Sequence, residues 1–177
     1  MKFLTDIRLL LIAIWIGASV FFIAVAASAF SVLPQRELAG AVVNRTLTIL
    51  NFGGIALSVI LILTSMVRGN LIKPLWLWSE RILLLIVAAA CAAGQFVIGY
   101  MMQSVRGQMG GRPIDEIAVD DPLRIQFNQL HESSVWMLYI AMAAAVLAFF
   151  VIANRKKAVE KTKDPLAPYN FEKEFKI

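Results

Sequence analysis

The sequence predicts an all-α fold: a four-helix transmembrane bundle with both chain ends on the cytoplasmic side. Three observations predict it. Four uncharged apolar runs, residues 9–34, 46–67, 82–103 and 133–154, each exceed 20 residues, and about 20 apolar residues at 1.5 Å rise cross a ~30 Å hydrocarbon core. Charged residues make up only 16% of the chain and hydrophobic ones 59%, against about 25% charged in an ordinary soluble domain. Lys and Arg also divide unevenly between the two sides of the runs, twelve against five, and their excess marks the cytoplasmic side. Helices follow because lipid offers no partner to free backbone N–H and C=O groups. The alternation of a β-barrel strand is absent.

The first run follows Lys2 and Arg8 and contains Ala27-Ser28-Ala29, the small-x-small form of a signal cleavage site. The run exceeds the ~7–15 apolar residues of a signal peptide, so a retained first helix is expected. Pro34 suits a helix start, and Leu38, Ala41, Val42 and Leu47 repeat at helical spacing after it. An amphipathic start to helix two near Gln35 is the expectation, with Arg68-Gly69-Asn70 ending that helix near Val67. Trp76 and Trp78, beside Lys73, Glu80 and Arg81, read as an interfacial anchor before helix three. Residues 104–132 form the one substantial outer connection, irregular at Gly107, Gly110, Gly111 and Pro113. Asp121-Pro122 marks an extended outer start to helix four. Residues 1–157 thus form the membrane domain, and residues 158–177 a charged cytoplasmic tail.

Within the runs, small residues recur four apart: Ala24 and Ser28, Gly54 and Ser58, Ala90 and Gly94, Ala141 and Ala145. Such pairs permit close helix packing in lipid. Asn51 and Gln95 are the strongly polar intramembrane residues and lie at matched depth on helices two and three. They are read as interhelical glue worth about 0.6 kcal/mol, or as the polar wall of a solute path. Cys91 is read as a small apolar core residue. A net charge of +5 follows membrane topology rather than forming one patch, so nucleic acid is not an expected partner.

The stretch WIGASVFFIAVAASAFSVLP, with Trp15, Gly17, Phe21 and Phe30, resembles the opening of the bacterial domain of unknown function 4149 family, which is similar to eukaryotic transmembrane protein 205. The stretch FNQLHESS, with Phe127, Leu130, His131 and Ser134, resembles the family's pattern at the head of its last helix. A proline that often stands near Ala27 in the family is absent. The resemblance implies a four-helix protein of the bacterial inner membrane with no established reaction. Its eukaryotic relatives are associated with resistance to a platinum drug, which implies soft-metal handling as a hypothesis.

No phosphate loop, paired-cysteine motif or nucleophile–base pair is present, so enzyme activity is not expected. A single histidine excludes bis-histidine haem ligation within one chain. The leading expectation is a small accessory or assembly subunit of a larger membrane complex or homo-oligomer. An alternative is copper held by His131, Met101 and Met102 at the outer face, with Met109 and Met137 nearby, since thioether and imidazole suit Cu(I); a His–Met haem pair is its variant. A small-solute carrier is the third, and it needs a polar interior beyond Asn51 and Gln95.

Overall fold

The computed structural model describes residues 2–66, 72–110 and 112–155. It contains four long helices: α1 (Lys2–Val32), α2 (Arg36–Met66), α3 (Pro74–Gln108) and α4 (Pro122–Asn154). Each is long and apolar enough to cross a membrane, and the chain is a multi-pass integral membrane protein. The expected stop at Arg68-Gly69-Asn70 and the charged tail from residue 158 lie outside the described residues. Consecutive helices pack as neighbours, and α4 closes the ring against α1. Arg155 Nη2 donates to Thr5 Oγ1 at 2.7 Å, so the start of α1 and the end of α4 meet. We call this the terminal end and its opposite the far end.

Close approach of backbones holds the middle of the bundle. A Cβ placed on Gly54 of α2 would stand 2.6 Å from Cys91 Sγ of α3 and 2.9 Å from Trp15 Cζ2 of α1. Three helices therefore converge on one glycine, as lipid-embedded packing favours. The Trp15 ring is buried there, and its Nε1 donates to the Leu50 carbonyl at 3.1 Å. Ser58, Ala90, Ala141 and Ala145 are also buried. Ala24 and Ser28 instead face outward, so this small-residue pair is not a packing seam within the bundle. Gly17, Phe21 and Phe30 of the same motif are exposed as well.

Charge holds the terminal end. Glu80, read from sequence as part of an interfacial anchor, turns inward and is fully buried. Arg8 reaches it from α1 and also donates to the Leu61 carbonyl of α2 at 2.7 Å. Arg155, just past α4, contacts the other carboxylate oxygen at 3.4 Å. Arg81 Nε donates to Ser65 Oγ of α2 at 3.0 Å. One carboxylate and its neighbours thus tie all four helices. Trp78 stays 62% exposed, as an interfacial anchor should.

At the far end α3 continues through Gly107 to Gln108, where irregular chain was expected. A mid-helix glycine costs about 1 kcal/mol relative to alanine. Val105 and Met109, four residues apart, outweigh this by burying against Ile117 and Leu130 in a small apolar cluster. Gly110, at φ +67, ends the helix in the left-handed conformation. A short 3-10 turn, Ile114–Glu116, leads to the expected start of α4, where Asp121 Oδ1 accepts from Leu123 N–H at 2.8 Å.

Candidate ligand-binding cavity

A cavity of about 1170 Å³ opens at the far end between the four helices. Its depth follows from helix rise. Arg36 stands at the rim and Asn51 deep within, and fifteen residues of α2 at 1.5 Å correspond to about 22 Å. The inner walls are apolar, formed by Phe22 and Ala26 of α1, Leu47 of α2 and Leu138 of α4.

A break in α3 shapes the inner part. Residues Ala93–Ile98 form a π-turn, closed by the Gly99 N–H donating to the Gly94 carbonyl. Such turns recur at functional sites. Gly94 lies beside both neighbouring helices: a Cβ there would stand in ordinary contact with Asn51 Nδ2 at 3.6 Å and Met137 Cβ at 3.9 Å. The π-turn carries Gln95 to the cavity wall, so Asn51 and Gln95 line the same space. No hydrogen bond joins the two amides among the described residues. Asn51 is only 5% exposed, and its side chain makes no hydrogen bond among the described residues. An amide at that depth is costly unless something polar meets it, and its place on the cavity wall leaves it open to a polar group there.

The rim is basic. Arg36 and Arg45 approach from α2, Arg106 from α3 and Arg124 from α4. Among the described residues no Asp or Glu lines the cavity. The nearest relief is Asp115, which holds Arg36 at 3.1 Å in an exposed pair. Arg124 donates to the Ile117 carbonyl, which fixes its direction. Arg106 lies over the Phe127 ring, 5.3 Å from its centroid, and reaches across to within 3.6 Å of a Cβ built on Gly40 of α2. Arg45 has no ion pair or hydrogen bond among the described residues. Sequence counting treated these arginines as part of the minority charge of the outer side. Their convergence was hidden because they come from three different helices, α2, α3 and α4.

The proposed copper ligands divide. His131 and Met102 line the cavity, but Met101 is 41% exposed on another side of α3 and does not. Adjacent helix positions are about 100° apart, so consecutive methionines cannot share one direction. Met109 is buried in the small apolar cluster, and Met137 packs against it. Phe127 and Ser134 line the cavity with His131, whereas Leu130 turns into the cluster.

Comparison with protein families finds one model matching residues 10–110, described as Domain of unknown function (DUF4149). The match includes the Trp15 motif and ends before the Phe127 to Ser134 motif. Neither the curated proteins nor the solved structures yield a match.

Proposed function

The chain belongs to the domain of unknown function 4149 family, and from that premise we propose that it binds an anionic ligand in the basic cavity at the far end of its bundle. The carrying observation is the imbalance of the lining among the described residues: four guanidinium groups, of which Arg36 alone is paired to an acid, one imidazole and no carboxylate. Guanidinium stays charged at any physiological pH and matches the oxygens of carboxylate and phosphate in a fixed fork. Between low-dielectric helices its attraction for an anion exceeds that of the same group in open water. The amides of Asn51 and Gln95 then offer donors deeper in the cavity.

The same arginines oppose a copper site, because a cation beside His131 would share the cavity with them. An accessory-subunit role is compatible with ligand binding but has no residue in the described structure to carry it.

The test is thermal unfolding of the purified protein in a zwitterionic detergent, with phosphate, citrate and phosphatidylglycerol added in turn. A ligand present at 100 times its Kd stabilises by about 2.7 kcal/mol. At least one anion should raise the unfolding temperature of the wild type, and none should do so in the Arg45→Gln/Arg106→Gln variant. Equal responses of the two proteins would remove the cavity from consideration.

A further inference from the structure

We infer that the anionic ligand is a phospholipid, entered sideways from the bilayer between α2 and α3, with its phosphate between Arg45 and Arg106. The inference rests on the anion-binding function proposed above and names its ligand class. Three observations carry it.

The first is a gap in the wall. α2 packs along the Pro74–Ala92 part of α3 but draws away from its Gly99–Gln108 part. Asn44 and Thr48 edge this gap on α2 and Tyr100 on α3, and the edge-to-face pair of Phe52 and Phe96, 5.8 Å between ring centroids, closes its inner end. Tyr100 lines the cavity and is 72% exposed, so above the Phe52–Phe96 pair the cavity wall runs into the lipid-facing surface. A water-borne anion needs no such side door.

The second is the division of the interior. Guanidinium groups stand at the rim, and the Phe22, Ala26, Leu47 and Leu138 surfaces lie inside. A small hydrated anion would satisfy the first and leave the second in contact with water. An amphiphile satisfies both, with its charged head at the arginines and its acyl chains on the apolar wall or in the gap. Volume agrees: about 1170 Å³ exceeds the roughly 300–1,000 Å³ of sites for drug-sized molecules.

The third is the placement of Arg106. It spans from α3 over Phe127 of α4 towards Gly40 of α2, while Arg45 has no protein partner among the described residues. The two belong to opposite sides of the gap, so a headgroup passing through it meets both. A phosphodiester presents two unesterified oxygens, which two guanidinium forks can share.

Native mass spectrometry of the detergent-purified full chain tests this. Phosphatidylglycerol, phosphatidylcholine and inorganic phosphate are supplied separately to the wild type, Arg45→Gln/Arg106→Gln and Thr48→Trp. The arginines are exposed and Thr48 half-buried, and circular dichroism verifies that each variant is folded. Phosphatidylglycerol should be retained by the wild type in preference to phosphatidylcholine. The arginine variant should lose at least about tenfold in affinity, the scale of a missing charge-assisted contact. Thr48→Trp, which narrows the gap, should slow lipid uptake. Inorganic phosphate that binds at this site as tightly as the lipid would overturn the lipid assignment and leave anion binding standing. No retention of any of the three probes would overturn both. Equal retention of phosphatidylglycerol by wild type and arginine variant would reduce it to surface lipid and overturn the inference.

Discussion

Arg8 on α1 and Glu80 on α3 form an ion pair closed off from solvent, with Arg8 2% and Glu80 0% exposed. Arg155 approaches the second carboxylate oxygen, so one acid balances two bases in the low-dielectric end of the bundle. Removing one partner of a buried pair leaves its charge uncompensated, which costs about 3–5 kcal/mol. Glu80→Gln should therefore lower stability by that amount in an SDS unfolding titration. Arg8→Met combined with Glu80→Met should cost less than the two single losses added, because the stranded Arg8 charge is gone. Unfolding of Glu80→Gln at the wild-type midpoint would show the pair to be inert.

Packing at Gly54 makes a sharper geometric prediction. A methyl group there collides with Cys91 Sγ and the Trp15 ring, and overpacking of this kind costs about 1–3 kcal/mol. Gly54→Ala should be destabilised to that extent, with part recovered in Gly54→Ala/Cys91→Ala, where the sulfur is removed. Gly17→Ala is the control. Nothing lies within 4 Å of a Cβ at Gly17, and alanine favours the helix, so stability should hold or rise slightly. Equal effects at the two glycines would refute the three-helix contact.

The helices were legible in the sequence because burial in lipid demands long uncharged runs, and nothing else in the chain competes with that signal. The start of α4 was legible for a local reason: Asp121 and Pro122 act on the backbone beside them. Glu80 was not. Its position near a run's edge, among tryptophans and basic residues, is common to interfacial anchors, and only the fold brings Arg8 and Arg155 to it from 72 and 75 residues away. The cavity was half legible. Asn51 and Gln95 stood out as costly polar groups in lipid, but the π-turn that carries Gln95 to the wall has no simple periodic signature. The arginines were visible and misjudged, since counting charges by side discards where on that side they point.

His131 supplies a test of the copper alternative. It shares the cavity with Met102 but not with Met101, and four arginines line the same space. Cu(I) titration with a competing chelator should give equal binding by wild type and His131→Ala. A stoichiometric equivalent lost in the variant would restore the metal site and count against an anion in the same cavity.

Topology is the remaining prediction, and the cavity strengthens its basis. Of the five basic residues at the far end, Arg36, Arg45, Arg106 and Arg124 line the cavity and only Arg112 does not. Four of the five thus have a local reason to be there, which explains why the far end carries arginines against the usual bias. The twelve Lys and Arg assigned to the terminal side then set orientation with less opposition than the raw count implies. The terminal end should face the cytoplasm and the cavity should open on the other side. Cysteines at Asp6 and Val119, both exposed and at opposite ends, report on this in a Cys91→Ala background. An impermeant maleimide added to intact bacterial cells should label Val119→Cys, and Asp6→Cys only after the membrane is permeabilised. Labelling of Asp6→Cys alone in intact cells would invert the protein, and the cavity would then draw its ligand from the cytoplasmic leaflet.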